Sequence, residues 1–142
     1  MAKAGFNRRG GALHPVHVVL LAGTLPLFLG AMLSDWGYSQ SYQIQWVNFA
    51  SWLIAGGLVF AALALLWALI DLLRAARSGQ PYWLYAGLLL ALFVVGIVNA
   101  LVHARDGWGT MPAGLILSVV SLALAMAAIW AAHVPRRFGE DR

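Results

Sequence analysis

The chain has 142 residues, of which 62% are hydrophobic and only 10% are charged. Soluble domains carry about 25% charged residues, so this composition excludes a freely soluble protein and predicts a single domain embedded in lipid. The chain contains no cysteine, which excludes disulfides, thiolate metal sites, cysteine-ligated iron–sulfur clusters and covalently attached c-type haem.

The first apolar segment runs from about residue 15 to 34 and begins at Pro15, a residue that suits the first turn of a helix. Its polar side chains fall on one stripe of a heptad projection, so this stripe should face the rest of the protein. The stripe consists of His14, His17, Leu21, Thr24, Phe28, Ala31 and Asp35. Pro26 lies in the middle of the segment and predicts a kink, for which ordinary packing is a better explanation than a functional hinge.

Three further helices are predicted at about residues 46–73, 81–103 and 111–133. The residues between the first two helices, 35–45, are rich in Ser, Gln, Tyr and Trp and are predicted to form a polar loop. Pairs of small residues four positions apart predict close helix contacts: Gly87 with Ala91, Gly96 with Ala100, Gly114 with Ser118, and Ser121 with Ala125. The predicted fold is therefore all-α, an integral membrane four-helix bundle over residues 14–135 between tails at 1–13 and 136–142.

The positive charges lie almost entirely on one side of this predicted bundle. That side carries Lys3, Arg8, Arg9, Arg74, Arg77, Arg136, Arg137 and Arg142, whereas the other side carries only Arg105. By the positive-inside rule, both termini are expected in the cytoplasm. Because the cations cluster at segment ends rather than along one face, the net charge of +4 does not indicate a nucleic-acid partner.

The short motifs His14-Pro15-x-His17 and Ala68-Leu-Ile-Asp71, with Pro26 and Asp35, resemble those of a known family. Over residues 13–135 the chain is similar to small bacterial four-helix membrane proteins grouped as a domain of unknown function. That resemblance implies a bacterial cytoplasmic membrane and a setting beside iron–sulfur or other redox modules. Many of these proteins have a histidine near the start of the third helix, where this chain has Tyr82, Trp83 and Tyr85, and this departure weakens a metal or haem role.

Ionisable side chains of all four helices are expected at the cytoplasmic end of the bundle. One hypothesis is a b-type haem with His17 and His133 as axial ligands, His14 as a further candidate ligand, and Asp71 orienting one ring. The favoured alternative is that Asp71, with Tyr85 nearby, forms a buried polar or ionic pair with a histidine or arginine and fastens the helix ends. A third is proton movement, or a metal clamped by His14 and His17, although two ligands fall short of the four that zinc usually takes.

A second polar cluster is expected on the outer face, formed by Asp35, Asn99, His103 and Arg105. Arg105 and its neighbour Asp106 are better explained as an interfacial charge pair than as a substrate clamp. No glycine-rich phosphate loop, Ser-His-Asp set or pair of catalytic carboxylates is evident, which disfavours hydrolytic and phosphoryl-transfer enzymes.

Three functions stay open at this point. The first, which the family resemblance implies, is a non-catalytic membrane subunit or scaffold whose partners are the lipid bilayer and redox membrane proteins or a second copy of the chain. The second is a haem b electron-transfer protein. The third is a small proton or solute transporter.

Overall fold

The computed structural model describes residues 14–75 and 83–133. These residues form four α-helices: α1 Pro15–Ser41, α2 Ile44–Ala75, α3 Trp83–His103 and α4 Ala113–His133, with a short 3-10 turn at Gly107–Gly109. Each of the four helices is long and apolar enough to cross a membrane, and the described ranges contain no strand. The predicted all-α membrane bundle is confirmed, whereas the predicted tails at 1–13 and 136–142, and the residues Arg77 and Tyr82, lie outside the described residues.

The helices occupy the corners of an up-and-down bundle. Helix α1 packs against α2 and α4, and α3 packs against the same two helices. Helices α1 and α3 are therefore parallel and lie on a diagonal. We call the end that carries the α1–α2 turn and the connection at 104–112 the loop end, and the opposite end, where α1 starts and α4 finishes, the terminal end.

Helix α1 is longer than predicted. It continues to Ser41 rather than ending near residue 34, and the predicted polar loop at 35–45 shrinks to Tyr42 and Gln43. Serine hydroxyls of this segment find their partners within the helix by donating to carbonyl oxygens of the preceding turn: Ser34 to Gly30 (2.8 Å), Ser39 to Trp36 (2.7 Å) and Ser41 to Gly37 (2.7 Å). The helix ends at Tyr42, whose left-handed backbone (φ 53°) lets its N–H bond to the Tyr38 carbonyl oxygen at 2.8 Å.

The inward face of α1 matches the predicted stripe closely. Its buried residues are His17, Leu21, Thr24, Phe28, Ala31, Ser34, Asp35 and Tyr38. His14 is the one residue of the predicted stripe that is exposed. Helix α1 is unbroken at Pro26, whose side chain is exposed; the predicted kink at this residue stays a prediction.

The middle of the bundle is an apolar layer centred on Phe28, which is fully buried. Its ring packs against bare backbone, since a Cβ built on Gly57 of α2 would lie 2.9 Å from the Phe28 Cζ atom. Gly96 of α3 is similarly enclosed, because a Cβ there would lie 2.8 Å from Leu58 Cδ2. Glycine at both positions lets side chains of neighbouring helices approach the helix backbone closely.

The predicted small-residue pairs have mixed outcomes. In α4, all four predicted members, Gly114, Ser118, Ser121 and Ala125, are buried against other helices, as expected. In α3, Gly87 is exposed, and a Cβ built on it would contact nothing within 4 Å. The prediction that Gly87 allows a close helix contact is therefore wrong for the described bundle.

Candidate functional site

Polar and aromatic side chains of different helices meet at the two ends of the bundle. The loop-end cluster consists of Asp35, Asn99, His103 and Ser118, contributed by α1, α3 and α4. The terminal-end cluster consists of His14, His17, Trp67, Asp71 and Tyr85, contributed by α1, α2 and α3.

The centre of the loop-end cluster is a contact between a carboxylate and an imidazole. His103 Nε2 lies 2.7 Å from Asp35 Oδ1, and both residues are buried, with Asp35 fully enclosed. The other ring nitrogen of His103, Nδ1, lies 2.9 Å from the backbone carbonyl oxygen of Asn99. Because a carbonyl oxygen only accepts hydrogen bonds, Nδ1 carries a proton.

A closed ring of hydrogen bonds surrounds this pair. The Asn99 side-chain amide donates to Ser118 Oγ at 2.9 Å, and the Ser118 hydroxyl donates to Asp35 Oδ2 at 2.5 Å. From Asp35 the ring passes through His103 back to the carbonyl of Asn99. Both carboxylate oxygens of Asp35 therefore have partners, as a buried carboxylate requires.

The hydrogen bonds also set the number of protons in the cluster. With Nδ1 of His103 already protonated, the contact between Nε2 and Asp35 Oδ1 needs one more proton, on either atom. In the first case the pair is an imidazolium and a carboxylate, and in the second it is two neutral groups. The Asp35–His103 pair holds one shared proton and has no net charge in either case.

The arrangement is not that of a nucleophilic triad. The Ser118 hydroxyl donates to the carboxylate of Asp35 rather than to an imidazole, so no base stands ready to activate it.

The structure brings together three of the four residues predicted for the outer cluster. Asp35, Asn99 and His103 are in contact, whereas Arg105 is exposed and forms no part of the hydrogen-bond ring. Among the described residues no ion pair joins Arg105 to Asp106, so the predicted interfacial charge pair is wrong. Both side chains lie beyond the end of α3, where water can solvate them separately.

At the terminal end, His17 and Tyr85 form the principal contact. His17 Nε2 lies 2.5 Å from the Tyr85 hydroxyl, and both residues are buried. The two rings meet edge to face, with centroids 5.7 Å apart. This contact joins α1 to α3, the same diagonal pair of helices that Asp35 and His103 join at the loop end.

Trp67 of α2 completes an aromatic group around the two histidines of α1. Its ring stacks on His14 at 5.1 Å and lies 5.8 Å from His17. Asp71 lies one turn further along α2, at the same end of the bundle. The predicted grouping of His14, His17, Asp71 and Tyr85 at one end is thus present, and Trp67 is an addition to it.

The ion pair predicted for Asp71 involves partners of which only some lie within the described residues. Within the described ranges Asp71 forms no ion pair with a histidine or an arginine, so the expected pair is not found there. A pair with Arg77 lies outside the described residues. The fastening of the helix ends that was expected from Asp71 is instead supplied by the hydrogen bond between His17 and Tyr85.

The described arrangement does not fit a haem held by His17 and His133. His17 Nε2 is engaged by the Tyr85 hydroxyl, and its Nδ1 is buried. His133 is exposed, and its Nδ1 donates to the carbonyl oxygen of Ile129 at 2.7 Å. A haem with two histidine ligands needs both imidazoles to face one cleft, whereas His17 is buried between helices and His133 is exposed at the end of α4.

Three buried polar atoms have no hydrogen-bond partner within the described ranges: His17 Nδ1, Asn99 Oδ1 and Ser121 Oγ. Ser121 follows Ser118 by about one turn on the buried face of α4. Because buried polar atoms normally have partners, these three atoms mark where each cluster can still form a hydrogen bond.

Ser118 and Trp67 are the cluster residues that the sequence did not identify as such. Ser118 was assigned to helix packing by its spacing from Gly114, and that role is also real, since both residues are buried. The signal for its second role is that Ser118 and Ser121 are the two serines in a helix otherwise made of apolar residues and a terminal histidine. A hydroxyl in such a helix commonly bonds to a neighbouring helix.

Comparison with known proteins identifies one family. Its model, DUF2231, described as a predicted membrane protein, matches residues 13–132. Neither a curated protein nor a solved structure was found to match the chain. Because the family match covers well over half of the chain, this four-helix protein belongs to the DUF2231 family of predicted membrane proteins.

Proposed function

We propose that this membrane protein is a non-catalytic subunit that positions a redox protein in the bacterial cytoplasmic membrane. The observation that supports a structural role is that buried ionisable side chains bond to one another across the diagonal of the bundle. Asp35 contacts His103 at one end, and His17 contacts Tyr85 at the other. The redox character of the partner is what the family resemblance implies.

The outer surface of the bundle suits association within lipid. Large apolar side chains face outward on every helix, among them Trp52 on α2, Trp83 on α3 and Trp130 on α4. In a bilayer such side chains contact lipid tails or the helices of another protein with little cost. The bundle is thus equipped to sit beside a partner, or a second copy of itself, without any change in its polar interior.

The orientation in the membrane is part of the same proposal. The first described turn of α1 and the last turn of α4 lie at the terminal end, together with Arg74. Arg105 lies at the loop end. With the cations of the tails added from the sequence, the terminal end faces the cytoplasm. Reporter domains fused to either terminus are expected to be active only when that reporter folds in the cytoplasm; activity of a periplasm-dependent reporter at either terminus would reverse the assignment.

The partner is tested by isolating the protein from its own membranes. We expect a chromosomally tagged chain, cross-linked in intact cells and purified in mild detergent, to carry a second polypeptide that contains a redox centre. The visible spectrum and the metal content of the complex identify that centre. An unrelated tagged four-span protein from the same membranes is the control. Recovery of this chain alone, or with polypeptides free of any redox centre, would reject the proposed partner.

Expressing the chain alone distinguishes the haem hypothesis from the proposed non-catalytic subunit. A preparation that is colourless before and after dithionite, while the native complex is coloured, places the redox centre in the partner. A b-type spectrum that disappears in His17→Ala or His133→Ala would instead support the haem protein. Transport is tested by ion flux in proteoliposomes that depends on Asp71; the apolar layer around Phe28 gives no support to an aqueous path between the two polar clusters.

A further inference from the structure

The connection between α3 and α4, residues 104–112, covers the Asp35–His103 pair. His103 is the last residue of α3, a position that ordinarily faces water, yet its side chain is buried. Gly114 of α4 lies against it, since a Cβ built on Gly114 would lie 2.9 Å from His103 Cε1 and 2.7 Å from Cγ2 of the fully buried Thr110. We call residues 104–112 the cap segment.

The cap segment is fastened to the α1–α2 turn by two contacts. The ring of Trp108 stacks on Tyr42 with centroids 5.9 Å apart and planes 18° apart. Gly107 is buried against the same turn, since a Cβ built on it would lie 2.6 Å from Ile44 Cδ1 and 3.4 Å from the Tyr38 hydroxyl. Side-chain packing therefore holds the segment over the cluster.

In the described residues, hydrogen bonds do not contribute to the attachment of the cap segment to the α1–α2 turn. Those of the cap segment run to its own residues or to α3 and α4, such as Gly109 N–H to the Asp106 carbonyl oxygen at 2.8 Å. Within the described ranges none joins it to α1 or α2. Trp108 is 78% exposed, so its stack on Tyr42 is open to water on one side. Such a segment can lift from the turn without breaking a hydrogen bond to it.

We infer that Asp35 and His103 form a proton-binding site that exchanges its shared proton with water at the loop end when the cap segment lifts. The proton resides between His103 Nε2 and Asp35 Oδ1. On exchange it passes to water and is replaced by another, so the pair returns to the same neutral state. The exchange is one-sided, because the apolar layer around Phe28 separates the pair from the terminal end.

The charged surroundings of the pair are sparse. Apart from the pair itself, the titratable side chains at the loop end are Tyr38 and Tyr42 on the α1 side and Arg105 and Asp106 on the cap segment. The faces of α2 and α4 that close this end contribute none. Arg105 and Asp106 are exposed, so neither replaces Asp35 or His103 as the partner of the shared proton.

Opening of the cap segment is tested with a single thiol, because the natural chain has no cysteine. Ser118→Cys places a thiol in the buried cluster, and its reaction rate with a charged, membrane-impermeant methanethiosulfonate is measured on protein in membrane vesicles. Trp108→Ala is expected to raise that rate about 2-fold to 10-fold, which matches the strength of an aromatic pair. Trp108→Phe keeps a ring on Tyr42 and should return the rate towards that of Ser118→Cys alone.

Trp36→Ala is the matched control, since Trp36 is an exposed tryptophan of the same end without a ring contact in the described residues. It should leave the rate unchanged. Two marker variants identify the side of the membrane from which the reagent reaches position 118: Gln45→Cys for the loop end and His133→Cys for the terminal end. A thiol at 118 that reacts from the side that labels position 133, or at a rate indifferent to Trp108→Ala, would overturn the inference.

The proton itself is followed on the cysteine-free chain by infrared spectroscopy during transfer into heavy water. Bands of the Asp35–His103 pair, recognised by their absence in Asp35→Asn, are expected to shift with time, and to do so faster in Trp108→Ala. If the spectra of the natural chain and Asp35→Asn show the same exchange, the pair holds no exchangeable proton and the inference fails. The outcome does not depend on any redox partner.

Discussion

Asp35 and His103 meet at 2.7 Å although their helices, α1 and α3, stand at opposite corners of the bundle. His17 and Tyr85 repeat this relationship at the other end, and each pair joins residues 68 positions apart. In each of these two helices the contact residues are 18 positions apart, which corresponds to about 27 Å along the helix axis. Because this length is close to the thickness of a bilayer core, about 30 Å, α1 and α3 are joined by one side-chain contact near each membrane surface.

The first prediction concerns the charge balance of the Asp35–His103 pair. His103→Ala leaves the Asp35 carboxylate buried without its partner, and such a loss costs about 3 to 5 kcal/mol. Asp35→Asn is expected to be much milder, below about 1 kcal/mol, because an amide can donate to His103 Nε2 and accept from the Ser118 hydroxyl. Thermal unfolding in detergent, followed by circular dichroism, measures both.

The double variant provides the control for this asymmetry. Asp35→Asn in the His103→Ala background removes the buried charge, so we expect it to recover part of the stability that His103→Ala loses. Additive losses in the double variant would show that the cost of His103→Ala comes from lost packing rather than from an unpaired carboxylate.

The second prediction compares the two serines of α4. Ser118→Ala removes the donor to Asp35 Oδ2 and the acceptor of the Asn99 amide, so a loss of about 1 to 2 kcal/mol is expected. Ser121→Ala removes a hydroxyl that has no partner among the described residues, so it should be neutral or slightly stabilising. The midpoint of thermal unfolding of each purified variant decides; equal losses would mean that Ser121 has a partner, such as a buried water.

The third prediction concerns the terminal end. Tyr85→Phe keeps the ring beside His17 but leaves both imidazole nitrogens without a partner in the described residues, and should cost about 1 to 2 kcal/mol. Tyr38→Phe is the control, because the Tyr38 hydroxyl forms no hydrogen bond in the described ranges, and it should change stability by less than about 0.5 kcal/mol. A Tyr85→Phe protein as stable as the Tyr38→Phe protein would show that the hydrogen bond between His17 and Tyr85 does not stabilise the contact of α1 with α3 at this end.

The number of helices and the inward face of α1 could be predicted from the chain alone. Long apolar segments report on helices that cross a membrane, and the heptad position of Asp35 relative to His17 placed both on one buried stripe. The end of α1 could not be predicted in this way. The polar residues after Asp35 have the composition of a loop, but their hydroxyls bond within the helix, as Ser39 and Ser41 do.

The partners of the buried groups were harder to predict than their locations. Asp35, Asn99 and His103 were expected at one level, but nothing in the local sequence indicates that Ser118 donates to Asp35 across 83 positions. The contact between His17 and Tyr85 is likewise set by the diagonal packing of α1 and α3. Arg105 was grouped with the cluster by its sequence proximity to His103, whereas the chain turns outward between them and leaves Arg105 in water.

The fourth prediction tests the apolar layer that separates the two ends. Gly57→Ala places a methyl group 2.9 Å from the ring of Phe28, which is fully buried and has little room to move, so a loss of about 1 to 3 kcal/mol is expected. Gly87→Ala is the matched control, because its methyl group meets nothing within 4 Å and alanine is the better helix former by about 1 kcal/mol. In one detergent, the midpoint temperature of thermal unfolding should therefore be lower for Gly57→Ala than for the natural chain, and equal or higher for Gly87→Ala. If both variants lose stability equally, Gly87 contacts another protein or a second copy of the chain, and the outward face of α3 is an interface rather than a lipid-facing surface.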